Sequence, residues 1–109
     1  MSAEDRLARA EALAARIGDL YVEQVGVIRD DLWHIAKLSE ELGELNAAWL
    51  SANGRGRDRG LSASELEQAV ADEAADLFGF LLLFAQRNGI DLAQALERKW
   101  GRYLAPKTG

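Results

Sequence analysis

The chain has 109 residues, 49% hydrophobic and 28% charged, with a net charge of −5, which suits one domain spanning 1–109 and leaves no room for two. The acidic balance argues against nucleic acid as a partner. The absence of an apolar run of about 18 residues argues against a membrane-spanning helix. The opening MSAEDRLARAEALAARIG lacks the apolar centre of a secretory signal, so the expected compartment is the cytoplasm. With no cysteine and one histidine (His34), disulfides, thiolate sites and multi-histidine zinc or di-iron centres are excluded.

Alanine, leucine, glutamate and arginine dominate, and the single proline, Pro106, lies beyond the last plausible helix. Helix is therefore expected throughout. The first helix is predicted from about Ala3 to Ile28, on Leu7, Ala10, Ala14, Ile17 and Tyr21 at 3–4 spacing, with Gly18 and Gly26 as points of bending. Asp30 or Asp31 can cap a second helix reaching about Ser51. The segment that follows carries Gly54, Gly56 and Gly60 and reads as a loop. Ser62 and Glu65 form a capping-box pattern opening a third helix to Asn88, with Gly89 as its left-handed terminator. Asp91 and Gln94 repeat the box and open a short last helix to about Leu104.

On the second helix, Ile35, Leu38, Leu42, Leu45 and Trp49 form one apolar stripe, predicted to be the core face. A second stripe beside it holds His34, Lys37, Glu41, Glu44 and Ala48, which puts Glu41 and Glu44 at the border of the buried face; Glu40 lies further round. The third helix is apolar nearly all round from Ala74 to Ala85, yet Asp72, Glu73 and Asp76 stand where that run begins. Two unit charges 5 Å apart interact by roughly 3 kcal/mol at an effective dielectric near 20. Several such repulsions would rival the stability of a small domain. Lys37 is the clear cation available on these helices to offset them. A hard divalent ion would do so more fully, and magnesium favours oxygen ligands completed by substrate phosphates.

The pattern EExxE (Glu40, Glu41, Glu44) followed after 28 residues by ExxD (Glu73, Asp76) resembles that of the MazG-like group of all-α NTP pyrophosphatases. The likeness extends from Trp33 to Tyr103, through a Gly-Glu-Leu turn (Gly43–Leu45), a loop bearing arginine and glycine, and NGIDL before the last helix. The resemblance implies an all-α, four-helix bundle-like fold and hydrolysis of a nucleoside triphosphate to the monophosphate and pyrophosphate. It implies Mg2+ (Mn2+ as a possible substitute) held by Glu41, Glu44, Glu73 and Asp76, with Glu40 serving a further ion or orienting the attacking water. Lys99 and Arg102 match a basic segment that contacts phosphates in this family; where the family often has asparagine, this chain has Gly101 and Arg102 nearby.

Other readings remain beside these. The glutamates of the second helix could be a solvated face, and Asp72 is read as a solvated or capping neighbour. Trp49 is predicted to pack in the core. Trp33, on the side of Lys37, Glu40 and Glu44, could stack on a base or bury against a partner subunit, and His34 is read as structural or exposed. Arg55, Arg57 and Arg59 could close over phosphates or belong to a solvated loop. Apolar residues on more than one helix face predict completion of the core by self-association, as a homodimer or homotetramer. The function expected is NTP or dNTP pyrophosphohydrolase; the alternatives are a phosphoribosyl-ATP pyrophosphohydrolase and a non-catalytic helical oligomerisation module.

Overall fold

The computed structural model describes residues 1–25, 30–56 and 60–104. Four α-helices account for most of them: α1 (Ala3–Val25), α2 (Asp31–Ala52), α3 (Ala63–Arg87) and α4 (Leu92–Trp100), the last running into a 3-10 turn at Gly101–Leu104. Helix boundaries follow local chemistry. The Asp30 carboxylate accepts the Trp33 N–H, and Asp91 accepts that of Gln94. Ser62 and Glu65 satisfy each other's backbone N–H groups in a complete capping box, each such cap contributing about 1 kcal/mol. Gly89, at φ 64°, ends α3 in the left-handed conformation that a side chain would disfavour. Gly18 does not interrupt α1; the expected continuation to Ile28, and the bend at Gly26, lie outside the described residues. The final turn departs from expectation: helical geometry gives way to 3-10 at Gly101.

Helices α2 and α3 form the main packed pair. The N-terminus of α2 meets the C-terminus of α3, where Asp31 accepts hydrogen bonds from Arg87 (2.7 Å) and Asn88 (3.4 Å), so the pair is antiparallel. Helix α1 leans on α3: Gln86 donates to the Glu11 carbonyl (2.8 Å), and Gly18 lies so near Leu83 that a Cβ there would stand 2.8 Å from Leu83 Cδ2. The missing side chain leaves room for the Leu83 side chain against α1. Helix α4 meets the other helices only marginally, chiefly in a small cleft where Leu92 and Ala93 neighbour Leu7 and Leu82. The radius of gyration is 17.3 Å, against ~13 Å for a compact chain of this size. Three helices thus form the body and α4 stands apart, so the chain does not close a four-helix bundle. Among the described residues no helix is long and apolar enough to cross a membrane.

The core is small. Among the described residues only Leu82 and Ala85 are buried apolar side chains, joined by two polar ones, His34 and Glu41. This rotates the contact face of α2 from the one expected. Of the stripe read as its core face, Ile35, Leu42 and Trp49 are about half exposed, while Leu38 and Leu45 are half-buried. The neighbouring stripe of His34, Glu41 and Ala48 turns inward, towards α3. Trp49 is therefore not a core residue, and Glu41 lies inside the contact of α2 with its neighbours, not at its border. Gly43 lies in the middle of α2, so the expected Gly-Glu-Leu turn is a helical segment.

Candidate metal centre

Because α2 and α3 run antiparallel with their acidic segments level, carboxylates from both converge. Oxygens of Glu40, Glu41 and Glu44 lie within 4.8 Å of one another, and so do those of Glu41, Glu73 and Asp76. Glu41 belongs to both groups. The first group is set within the helix itself, since Glu44 lies four residues after Glu40 and three after Glu41 and so adjoins both. The second requires the packing of α2 on α3.

Burial sharpens the chemistry. Glu41 is 5% exposed, and its Oε2 is buried without a hydrogen-bond partner, as is Glu73 Oε2. Burial is the main cause that pushes the Glu41 carboxyl above the usual carboxylate range; the negative charges of Glu44, Asp76 and Glu40 add to it, and Lys37 opposes it. Glu73 is raised by burial first, then by a carboxyl–carboxyl hydrogen bond with Glu44 and by the charges of Glu44, Asp76 and Glu41. A buried carboxylate with an unused oxygen is costly unless a cation or proton meets it. An all-oxygen set of this kind fits a hard divalent ion such as magnesium, and fits zinc or copper less well.

Lys37 stands where the sequence places it. Its Nζ lies 3.4 Å from Glu40 Oε2 and 3.6 Å from Glu41 Oε1, and 5.3 Å from the centre of the Phe80 ring and 5.8 Å from that of Trp33. Trp33 meets His34 and Phe80 edge to face, at 5.0 and 5.9 Å between ring centres. It is thus half-buried within the protomer, beside Lys37. His34 is buried, in keeping with a structural role. Asp72 is exposed and accepts a hydrogen bond from Gln68 (2.8 Å), a solvated neighbour as expected.

Lys99 and Arg102 are not brought to the carboxylates. Helix α4 and the turn after it pack against neither α2 nor α3 beyond a marginal contact, and the Arg102 guanidinium lies over its neighbour Tyr103, donating to its hydroxyl (3.2 Å). Arg55 is exposed at the start of its loop; Arg57 and Arg59 lie outside the described residues. Phe80 was no site candidate in the sequence, although it shares the Asp76 stripe of α3; that spacing was the available signal. Comparison with known proteins returns nothing: no family model matches the chain, and no curated protein or solved structure matches it.

Proposed function

We propose that the protein is a magnesium-dependent nucleoside triphosphate pyrophosphohydrolase, converting an NTP or dNTP and water to the monophosphate and pyrophosphate. The observation that carries this reading is Glu41: a buried carboxylate with an unsatisfied oxygen, shared by two carboxylate groups contributed by two helices. A surface patch of glutamates has no need of such an arrangement. Repulsion among these groups favours a bound cation, and a cation so held would leave coordination positions for phosphate oxygens. The resemblance of EELGE and EAAD to the MazG-like pattern supports the same chemistry.

In this reading Glu41, Glu44, Glu73 and Asp76 hold magnesium, and Mn2+ could replace it. Bound magnesium supplies charge neutralisation on the phosphate chain and lowers the pKa of water. Glu40, exposed at the rim, orients or deprotonates the water that attacks the α-phosphorus. The α–β bridging P–O bond breaks, and its electron pair leaves with pyrophosphate. Lys37 places a positive charge beside Glu40 and Glu41, where it can also face a phosphate oxygen. Trp33 and Phe80 help hold the Lys37 ammonium through their ring faces. Lys99 and Arg102 stand outside the proposed site of their own protomer.

We read the outward stripe of α2 as the surface through which copies associate, as a homodimer or homotetramer. Leu32, Ile35, Leu42 and Trp49 are 80%, 48%, 52% and 58% exposed along one side of a single helix, a contiguous apolar face of the kind that marks an interaction surface. The deciding experiment for function is a panel of ribo-, deoxy- and modified nucleoside triphosphates, with phosphoribosyl-ATP included, assayed for pyrophosphate release with and without magnesium. Monophosphate and pyrophosphate in equal amounts, only with metal, are expected. Release of orthophosphate, or no release from any compound, would sink the reading.

A further inference from the structure

Beside the carboxylates, α1 and α3 diverge and leave an open groove of about 560 Å³. Leu13 and Ile17 line it from α1, and Phe78, Gly79 and Leu83 from α3. Among its described lining residues only Lys37, Glu41 and Asp76 carry polar side chains, and all three belong to the carboxylate cluster or touch it. The backbone amides along the groove belong to helix interiors, where they bond within their own helices. Away from the cluster, then, these walls present no hydrogen-bonding group to a ligand.

We propose that this groove seats the base and sugar of the nucleotide and selects among bases by size and apolar contact, without reading their hydrogen-bonding edges. The inference rests on the pyrophosphohydrolase reading and adds to it a specificity. Two features favour this occupant. The groove is continuous with the cluster through Glu41 and Asp76, so a ligand whose phosphates lie on the carboxylate-bound metal has its remaining body directed along apolar walls. Its volume also falls in the range of small-molecule sites, roughly 300–1,000 Å³. A site that hydrogen-bonds its substrate rejects analogues lacking the partner group by about 10⁴–10⁵, whereas an apolar pocket discriminates by only about 10–200-fold.

Gly79 provides the test. A Cβ added there meets no atom within 4 Å, and the position is inside α3, where leucine favours helix more than glycine does. Gly79→Leu therefore starts from an unobstructed Cβ and extends a side chain from a residue that lines the groove. Wild type and Gly79→Leu are assayed with magnesium and the ATP, GTP, CTP and UTP series. In the wild type, kcat/KM should span no more than about a hundredfold across the four bases. In Gly79→Leu, KM should rise at least tenfold for all four, while magnesium alone still shifts the melting temperature of both chains equally. A wild type that favours one base by a thousandfold or more overturns the proposal, as does an unchanged KM in Gly79→Leu. Unchanged KM values together with a lower oligomeric mass would give the groove to a second copy of the chain. If neither chain releases pyrophosphate, titration of adenosine monophosphate with magnesium separates the two readings. Binding weakened at least tenfold by Gly79→Leu keeps the groove and discards the hydrolase; equal binding, or none, discards both.

Discussion

The ammonium of Lys37 lies 3.6 Å from Glu41 Oε1, one helical turn along α2, and joins the buried carboxylate to the exposed Glu40 on its other side. With side-chain exposures of 24% for Lys37 and 7% for Glu41, the contact lies between a surface pair, worth about 0–1 kcal/mol, and a buried one whose loss costs about 3–5 kcal/mol. Lys37→Met keeps the packing against Trp33 and Phe80 but removes the charge. Without metal, the variant should lose about 1–2 kcal/mol, a fall of several degrees in melting temperature. Magnesium should bind it more tightly than wild type, because a competing cation has gone. Calorimetric titration with magnesium and thermal melts check both signs; weaker magnesium binding would show that Lys37 assists the metal.

The raised pKa values of Glu41 and Glu73 fix the sign of a pH effect. Both groups hold protons more firmly in the folded chain than in the unfolded one. Their contribution to metal-free stability is therefore greatest below the ordinary carboxylate range and is lost as pH rises through the raised values. Metal needs the deprotonated forms, so its stabilising effect should run the other way. The melting-temperature rise caused by millimolar magnesium should be small near pH 5 and grow towards pH 7.5. A rise that is the same at both pH values would speak against these two carboxylates as ligands, and no rise at any pH against the site altogether.

Features set by a few neighbouring residues were legible in the sequence. The Asp30 and Ser62–Glu65 caps and the Gly89 terminator depend on contacts within a single turn and occur as read, while at Asp91 the cap forms without the return bond from Gln94 that a full box needs. The acid pairs within each helix were legible too, because spacings of three and four fix which carboxylates adjoin, whereas the meeting of Glu41 with Glu73 and Asp76 depends on how α2 packs on α3. The rotation of α2 was not. Two adjoining stripes compete for the contact with α3, and hydrophobic patterning favours Ile35, Leu42 and Trp49. The structure buries His34 and Glu41 most deeply, beside half-buried Leu38, Leu45 and Ala48, an arrangement that the cost of burying a carboxylate opposes. Nor does the amphipathic pattern of α4 reveal whether its partner surface lies in its own chain; Leu96, Trp100 and Leu104 are left 51%, 62% and 88% exposed.

That exposed surface leads to a prediction about assembly. Light scattering at micromolar concentration should give at least twice the 12.0 kDa of one chain. Leu42→Glu puts a charge in the centre of the outward α2 stripe, on the side away from α3, so it should dissociate the assembly with little change in helix content. A wild-type protein that runs as a monomer would leave the α2 face without its proposed role. An oligomer indifferent to Leu42→Glu would move the interface elsewhere, with α4 the next surface to test.

Glu73 offers the most direct test of the proposed chemistry. It stands three residues before Asp76 on α3, is half-buried, and has one oxygen without a hydrogen-bond partner. Glu73→Gln preserves length and packing while removing a charge that the proposed metal requires. Turnover should fall about a hundredfold or more, corresponding to the loss of roughly 3 kcal/mol of transition-state stabilisation. Without metal the variant should be at least as stable as wild type, because a carboxylate repelled by Glu44, Asp76 and Glu41 has gone. The same substitution should flatten the pH dependence of metal-free stability, since one of the two raised carboxyls no longer titrates. Glu97→Gln, exposed on α4, serves as the control and should retain near-normal turnover. Full magnesium-dependent activity in Glu73→Gln would remove α3 from the active site, however closely its carboxylates approach those of α2.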